Sequence, residues 1–330
     1  MESILIICFA VSFLITLFIT PYWANYARKA NLAVRDMNKA NKPIVPTAGG
    51  VPVIAGFLFG LLFYIALKTF IFKNLTNATA VNLFAILCVI LISCSIGFLD
   101  DVLGRISLRK SHRIILCLIA AIPLVALNSG KSMMSIPFIG MVDFGVIYPL
   151  ILIPLGVSGA ANGFDMIGGY NGLQTGLGII ILSALGILTW MHGSGWLAVV
   201  CFCMVFALIA FLMFNKYPAK VLDGNTLSYI VGALIACIAI VGNTEKAALI
   251  LFIPYFIELL LKARGGMRKE SFAVPNKDGS LDVPYQKIYG LEHAAIALLK
   301  KIKPSHKVHE KDVTSSLIFL EVIFAIAVLI

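Results

Sequence analysis

IGFLDDVLGRISLRKSHRIIL (residues 96–116) joins two runs of almost purely apolar residues. It holds two adjacent carboxylates, Asp100 and Asp101, followed by four basic residues, which are Arg105, Arg109, Lys110 and Arg113. A charged side chain at the centre of a bilayer costs about 2.5–3.5 kcal/mol even on a lenient insertion scale. We therefore place the two acids at the end of a membrane span, lining a polar cavity. The alternative is a solvated loop whose carboxylates cap helix ends.

The composition of the whole chain indicates an integral membrane protein. Of its 330 residues, 60% are apolar and 13% are charged, and the mean hydropathy is +0.97. A soluble domain is about half apolar and a quarter charged, so the soluble class is excluded. Runs of about 17–25 apolar residues are long enough to cross a bilayer. The sequence predicts ten spans, at residues 3–23, 47–67, 79–99, 113–128, 144–161, 173–190, 195–214, 226–242, 246–263 and 313–330.

The basic residues predict the orientation of these spans. With the N-terminus outside, the inside loops are residues 24–46, 100–112, 162–172, 215–225 and 264–312. Only four of the 26 Lys and Arg residues then fall in outside loops: Lys68, Lys73, Lys131 and Lys246. This asymmetry follows the positive-inside rule. We predict an all-α, polytopic fold of about ten transmembrane helices, a single domain over residues 1–330, with its active-site loops on the cytoplasmic face.

The segment SGAANGFDMIGGYNGLQTG (158–176) places a glycine-rich turn between two spans. Asn162 and Asp165 are three residues apart, so on a helix they lie on one face. Gly168 and Gly169 end that helix, and glycine lets the backbone approach a ligand closely. A plain helix–turn–helix connector is the alternative, but it does not explain an unpaired Asp165 between two apolar spans.

Two further inside loops combine basic, amide and acidic side chains. They are RDMNKANKPIVPTAGGVP (35–52) and FNKYPAKVLDGNTLSY (214–229), the second of which contains Lys216, Lys220, Asp223 and Asn225. Each alone is typical of an ordinary inside loop. Together the loops bring oxygen ligands and cations to one membrane face, which suits Mg²⁺ and phosphate rather than zinc. Phosphoryl transfer needs mainly such a metal, charge-absorbing cations and in-line positioning.

These motifs resemble those of the polyprenyl-phosphate N-acetylhexosamine-1-phosphate transferases over nearly the whole chain. The matching stretches are PTAGG entering the second span, DDVLG…LRK after the third, NGFDMIGGYNGL before the sixth and FNKYPAKVLDGNT after the seventh. The NGL pattern and the loop PNKDGSLDVPYQKI are similar to the archaeal and eukaryotic UDP-GlcNAc:dolichyl-phosphate GlcNAc-1-phosphotransferases. The His-rich motif usual in the bacterial members is absent, and His293 is the histidine nearest to that stretch.

The resemblance implies an enzyme that joins a UDP-N-acetylhexosamine to a polyprenyl or dolichyl phosphate and releases UMP. This would be the first membrane step of a lipid-linked glycan pathway, dependent on Mg²⁺ with Mn²⁺ as a substitute. The implied catalytic residues are Asp100, Asp101 and Lys110, where Lys110 holds the acceptor phosphate. The implied metal ligands are Asp165 and Asn225, with Asp223 as a rival. The implied nucleotide and substrate contacts are Met37, Thr47, Asn162, Gly169, Asn171, Arg268 and Lys269.

Two positions depart from the family pattern in a related way. Family members commonly have Asn at the position of Asp165 and Asp at the position of Asn225, so acid and amide are exchanged here. Our hypothesis is that both still share one Mg²⁺, because the exchange preserves charge and ligand count. A phosphate monoester is largely dianionic at neutral pH, so one in-line displacement needs no strong general base. A covalent phospho-aspartate route stays open.

Other functions remain as alternatives to this interpretation. A phospho-MurNAc-pentapeptide-type or other UDP-HexNAc transferase would use the same cluster of loops. A membrane transporter would place charged residues near the bilayer midplane. Inside the predicted spans, however, the acidic residues are only Glu258 and Glu321, and the polar clusters lie at one surface. The expected partners are the UDP-sugar, the polyprenyl phosphate and membrane lipids, without nucleic acid. The sequence leaves open the amino sugar, the carrier and a homodimer.

Overall fold

The computed structural model describes residues 2–103, 109–136 and 140–330, apart from the side chains of residues 2–5, 110, 135 and 136. Most of this part of the chain is helical. Its helices are α1 (Glu2–Lys29), α2 (Gly50–Ala66), α3 (Asn77–Leu103), α4 (Lys110–Ala120), α5 (Ile122–Ala126), α6 (Ile153–Phe164), α7 (Leu173–Met191), α8 (Gly195–Asn215), α9 (Gly224–Gly242), α10 (Glu245–Leu251), α11 (Ile253–Arg264), α12 (Leu291–Ile302) and α13 (Glu310–Leu329). Two π-helical turns, Leu67–Ile71 and Tyr148–Leu152, continue α2 and precede α6.

Seven of the described helices are long and apolar enough to cross a membrane: α1, α2 with its π-helical turn, α3, α7, α8, α9 and α13. The prediction of a polytopic, helical membrane protein is thereby confirmed. The other three predicted spans consist of shorter helical pieces. The second residue of α5, α6 and α11 is a proline: Pro123, Pro154 and Pro254. Proline is tolerated in the first turn of a helix, where its missing N–H has no helical partner, but it interrupts a helix that comes before it. The count of ten and the orientation stay predictions.

Three short antiparallel hairpins connect the helices. Strands β1 (Ala33–Arg35) and β2 (Ile44–Pro46) pair in the loop between α1 and α2. Strands β3 (Met133–Ile136) and β4 (Gly140–Asp143) pair between α5 and α6, and β5 (Val274–Pro275) pairs with β6 (Leu281–Asp282) in the loop after α11. The first hairpin is tied to the start of α9, because Leu222 N–H donates to the carbonyl of Pro46 at 2.8 Å.

Helix α9 lies at the centre of the bundle. Of its most apolar 18-residue window 83% is buried, against 22% for α1 and for α13, whose outer faces are left for lipid. Glycines permit this close packing: a Cβ on Gly232 would lie 2.4 Å from the carbonyl oxygen of Ala160 in α6, and one on Gly97 in α3 would lie 2.6 Å from that of Asn225. Such small residues let membrane helices approach closely.

Candidate active site

A polar cavity of about 430 Å³ lies where the ends of α3 and α6 meet the start of α9. The hairpin β1–β2 and residues 269–272, which follow α11, form its other walls. Each of the three helix ends contributes a carboxylate: Asp101 from α3, Asp165 after α6 and Asp223 before α9. Segments that are distant in sequence therefore meet at one end of the bundle.

Asp101 fastens α3 to α9. Its carboxylate accepts hydrogen bonds from the backbone N–H groups of Asn225 at 2.8 Å and Thr226 at 2.9 Å, and from the Thr226 hydroxyl at 2.5 Å. These N–H groups are at the start of α9, where backbone donors lack helical partners and the helix dipole favours an anion. Asp101 is thus a helix cap as well as part of the cavity wall.

Arg113 joins the two remaining acids of the α3–α6 side. Its Nη1 lies 3.0 Å from Asp100 Oδ2 and 3.7 Å from Asp165 Oδ2. Asp100 is 3% exposed and also accepts a hydrogen bond from Asn225 Nδ2 at 2.7 Å. A guanidinium between two carboxylates relieves their repulsion and can also grip a phosphate.

The family resemblance implies that Lys110 holds the acceptor phosphate, and it implies no role for Arg113. Lys110 begins α4, but its side chain lies outside the described part of the structure, so its assignment stays a prediction. Arg113 follows one helical turn later on the same face. The signal that could have identified Arg113 is its place at the end of the charged stretch, immediately before the apolar residues of α4.

The predicted metal ligands Asp165, Asp223 and Asn225 all line the polar cavity. Burial raises the pKa of Asp223 to about 7, although the Thr175 hydroxyl donates to its Oδ1 at 2.7 Å. Burial also raises the pKa of Asp165, against the opposing charge of Arg113. In the described residues no group of three or more His, Cys, Asp or Glu side chains is arranged as a complete metal site.

These side chains nevertheless fit Mg²⁺ better than other metals. Their donors are carboxylate and amide oxygens, and burial raises the pKa of both carboxylates, so a bound cation would favour their ionised forms. Mg²⁺ usually takes one or two carboxylates together with waters and substrate phosphates rather than a complete protein cage. Asp165, Asp223 and the side-chain oxygen of Asn225 are the residues that would hold it.

Four of the predicted nucleotide and substrate contacts line the same cavity: Met37, Thr47, Gly169 and Lys269. Gly169 has φ +83°, a conformation that favours glycine. A Cβ there would lie 2.8 Å from Cε1 of Phe272, and the Gly169 carbonyl accepts a hydrogen bond from Asn38 Nδ2 at 2.7 Å. The backbone at Gly169 is thus fixed between an aromatic ring and the first loop.

Asn171 is directed away from the cavity. Its Oδ1 accepts from Lys39 Nζ at 2.5 Å and from the N–H of Ala219 at 2.9 Å, and its Nδ2 donates to Asp36 at 3.0 Å. Its own N–H donates to Glu310 at 2.7 Å. The residue is 3% exposed, and its side chain joins its own turn to the first loop and to the loop before α9, so its nucleotide role stays a prediction.

Asn162 and Arg268 also lie outside the polar cavity. Asn162 donates to the carbonyl of Ser158 at 2.8 Å and lines a second, apolar cavity. Arg268 is exposed, whereas its neighbour Lys269 lines the polar cavity with its Nζ 4.7 Å from the centre of the Tyr285 ring. Their substrate roles stay predictions, and the geometry favours Lys269 over Arg268.

The second cavity is an apolar groove of about 560 Å³ between α6, α9, α10 and α11. It opens sideways, because the lining residues Leu155, Phe256 and Leu259 are 41–54% exposed. At its far end Tyr148 donates to Glu245 at 2.5 Å. Met166, which follows Asp165, lines both cavities, so the groove and the polar cavity are adjacent at this residue.

Comparison with known proteins shows the family to which this chain belongs. The model of glycosyl transferase family 4 matches residues 83–243. A protein from Saccharolobus solfataricus is 36% identical over 82% of this chain and 81% of its own length. The chain belongs to glycosyl transferase family 4.

Other members of the family are similar over the same extent. A protein from Sulfolobus acidocaldarius is 33% identical over 82% of this chain and 81% of its own length. Both archaeal proteins carry the provisional name UDP-N-acetylglucosamine–dolichyl-phosphate N-acetylglucosaminephosphotransferase. A phospho-N-acetylmuramoyl-pentapeptide-transferase from Listeria monocytogenes is 30% identical over 80% of this chain and 86% of its own length.

The matched region of the glycosyl transferase family 4 model contains the chemical part of the site. Residues 83–243 extend from α3 to the end of α9 and include the acid cluster, Arg113 and two walls of the apolar groove. The hairpin β1–β2 and the segment after α11, which supply the remaining cavity walls, lie outside it. The resemblance inferred from the sequence motifs is confirmed by this family membership.

Proposed function

We propose that this family 4 enzyme transfers N-acetylglucosamine 1-phosphate, or a related N-acetylhexosamine 1-phosphate, from a UDP-sugar to a polyprenyl or dolichyl phosphate. The products are UMP and a sugar linked to the lipid through a diphosphate. The observation that carries the proposal is the contact between a polar, acid-lined cavity and an apolar, laterally open groove at Met166. A water-soluble donor and a membrane-bound acceptor can meet at this junction.

The acceptor is positioned by the groove and by Arg113. An isoprenoid chain lying between α6 and α9 would bring its phosphate to the Asp165–Met166 end of the groove. Arg113 is a cation at that place, 3.0 Å from Asp100 and 3.7 Å from Asp165, and Lys262, which donates to the Met166 carbonyl, is a second one. The planar guanidinium of Arg113 can exchange a carboxylate for two phosphate oxygens, with Lys110 at the start of the same helix as a further cation.

The donor occupies the polar cavity in this proposal. Met37, Thr47, Gly169 and Leu222 offer apolar and backbone surfaces for the uridine, and Lys269 offers a cation for the diphosphate. Asp165, Asp223 and Asn225 would hold Mg²⁺, which supplies charge neutralisation of the diphosphate oxygens when bound. The site therefore separates base recognition at β1–β2 from phosphate chemistry at the helix ends.

The reaction is one in-line displacement. An oxygen of the lipid phosphate attacks the sugar-bearing phosphorus of the UDP-sugar, the bond from that phosphorus to the UMP oxygen breaks, and UMP leaves with the electron pair. The nucleophile is already mostly dianionic at neutral pH because its second pKa is near 6. Asp100, held by Arg113 and Asn225, acts in positioning rather than as a strong base.

The active site lies on the cytoplasmic face in this proposal. The polar cavity is built from the loops that hold 22 of the 26 Lys and Arg residues under the predicted topology, and such loops stay inside. UDP-sugars are water-soluble and would reach the cavity from that side. Tagging the N-terminus and the 264–312 loop, then testing their accessibility in sealed vesicles, checks this sidedness.

The deciding experiment is an assay of UMP release by the purified protein in lipid nanodiscs. UDP-GlcNAc, UDP-GalNAc and UDP-MurNAc-pentapeptide are each incubated with dolichyl or undecaprenyl phosphate, with and without Mg²⁺. We expect UMP release with UDP-GlcNAc that is lost when Mg²⁺ is chelated. Release with UDP-MurNAc-pentapeptide alone would assign the enzyme to the reaction named for the Listeria relative, and no release with any donor would overturn the proposal.

A further inference from the structure

Two glutamates lie buried behind one wall of the polar cavity, outside the machinery assigned above. Glu258 of α11 and Glu292 of α12 are both 0% exposed. Side chains of this type are almost never fully buried unless they are paired. Their contacts therefore indicate what they stabilise.

The two acids join α11 and α12 to the turn that follows α6. Glu292 Oε1 accepts a hydrogen bond from the N–H of Gly168 at 3.1 Å. Glu258 Oε2 accepts from the N–H of Leu291 at 2.6 Å, and its Oε1 lies 3.3 Å from Lys262 Nζ. Lys262 in turn donates to the carbonyl of Met166. Helices α11 and α12 thus hold the 166–168 turn from behind.

The carboxylates converge on Gly290. A Cβ at Gly290 would lie 2.8 Å from Glu292 Oε2 and 3.1 Å from Glu258 Oε1. Within the described chain Glu292 Oε2 has no hydrogen-bond partner, and Glu258 Oε1 has the Lys262 ammonium at 3.3 Å as its ion-pair partner. Two neighbouring buried carboxylates cannot both ionise without a large cost, and one proton held by the pair would remove one of the two charges.

We propose that Glu292 is a positioning residue for the donor: paired with Glu258 around one shared proton, it fixes the Gly168–Gly169 wall of the nucleotide-sugar site. The proposal rests on the proposed function in one respect, because the ligand at this wall is taken to be the UDP-sugar. Gly168 and Gly169 both line the cavity, and Glu292 holds Gly168 through its N–H. The wall is therefore only as fixed as the acid pair behind it.

The surroundings of the pair determine the effect of pH. Lys262 from α11 is the cation that contacts the pair in the described part of the chain. His293 of α12 is also close, and burial lowers its pKa, which favours the neutral imidazole. Tyr170, from the turn after α6, is 2% exposed. Burial, and next to it the charge of Glu258, raises the pKa of Glu292 to about 8.

The sign of the effect follows from this raised pKa. The protonated pair is intact at acidic and neutral pH, and it is lost as pH rises through about 8. Above that pH two negative charges face a single lysine behind the wall that must receive a diphosphate. We expect the KM for the UDP-sugar to rise in this range, while kcat at saturating donor changes little.

The test compares Glu292→Gln with Glu292→Ala. Gln keeps an oxygen for Gly168 N–H and cannot ionise, so its KM for UDP-GlcNAc should stay low above pH 8. Ala removes the hydrogen bond and should raise the KM about tenfold at every pH, as loss of about 1.4 kcal/mol would. Glu321→Gln, a buried glutamate of α13 away from this wall, is the control and should follow wild type. A Gln variant with the wild-type pH curve, or an Ala variant that lowers kcat alone, would overturn the proposal.

A second readout does not depend on catalysis. Infrared difference spectra are recorded across a pH titration in the Glu321→Gln background, so that this second buried glutamate contributes no signal. A protonated-carboxyl C=O band should be present there and disappear above pH 8, and it should be missing when Glu292→Gln is added. If the protein releases no UMP but shows this band, the proposed function fails and the acid pair stands. If Glu321→Gln is active without the band, the acid pair is wrong.

Discussion

Arg113 illustrates how a single side chain can be overlooked in a sequence and still organise a site. The charged stretch 105–113 offers four cations, and spacing from Asp100 favoured Lys110 through the family resemblance. Spacing along a chain cannot show which cation faces the acids, because that depends on where α4 begins and how it packs. The structure shows Arg113 between Asp100 and Asp165.

The first prediction concerns Arg113. Arg113→Gln should lower kcat/KM for the polyprenyl phosphate about 10- to 100-fold, the effect of losing a charged hydrogen bond of about 1.5–3 kcal/mol. Arg113→Lys should recover part of it, because it keeps the charge but not the planar fork. The exposed neighbour Arg109 supplies the control Arg109→Gln. Equal effects of the two Gln variants would contradict the role given to Arg113.

The second prediction concerns the exchanged acid and amide. Asp165→Asn should lower the rate of Mg²⁺-dependent UMP release by at least about 10- to 100-fold. Loss of a residue that only supports a metal ligand already has an effect of that size. Adding Asn225→Asp should partly restore it, because the pair again offers one carboxylate and one amide. Activity is measured across a Mg²⁺ titration, with Asp143→Asn, an exposed acid of β4, as the control. Full activity of Asp165→Asn would end the exchange hypothesis.

Asn171 marks a limit of sequence reasoning at this scale. The nucleotide role of Asn171 was implied by the family resemblance, and a plain helix–turn–helix connector was the alternative for the motif around it. The structure shows its amide shared among Lys39, Asp36 and Ala219. Those partners come from two other loops, so only the tertiary structure could show that its hydrogen bonds are already made.

At the scale of elements, the apolar runs predicted seven membrane helices well, and they predicted three others only roughly. A run of apolar residues measures length, whereas Pro123, Pro154 and Pro254 decide where a helix restarts. The breaks matter for function, since α6, α10 and α11 are the pieces that border the apolar groove. The positions of the breaks were readable from the prolines, but the groove between them was not.

The third prediction tests the close packing of α9. Gly232→Ala would place a Cβ 2.4 Å from the carbonyl oxygen of Ala160, so the helices must separate. Overpacking of this kind costs about 1–3 kcal/mol and should lower the Tm in detergent by several degrees. Gly159→Ala is the matched control, because a Cβ there meets nothing within 4 Å. Similar Tm values for both variants would refute the packing argument.

The fourth prediction concerns the whole molecule, where the groove and the cavity work together. Gly159→Phe puts a ring into the open space of the groove and should raise the KM for a long-chain polyprenyl phosphate about tenfold. The KM for UDP-GlcNAc should not change, because the polar cavity is untouched. The control is Ile187→Phe, because Ile187 lies in α7 outside the groove and is 40% exposed. A rise in both KM values would mean that the ring disturbs the fold instead.

For the whole molecule, the sequence predicted that distant loops meet in one polar site, but it did not predict the apolar groove beside that site. Positive-inside counting placed the acids of α3, α6 and α9 on one side of the membrane, and the cavity contains all three. The groove arises from side chains of α6, α9, α10 and α11 that read as ordinary membrane-facing residues. Its existence depends on small residues such as Gly156 and Gly159, whose empty space no hydropathy count can show.

The lateral opening of the apolar groove has a kinetic consequence. The glycolipid product keeps the hydrocarbon tail of its precursor. It must therefore leave through the same opening by which the next precursor enters. Accumulated glycolipid should accordingly inhibit competitively against the lipid precursor and not against the sugar nucleotide. The rate at which newly made molecules diffuse away in the bilayer, or are taken up by a following enzyme, would then set the throughput of the pathway.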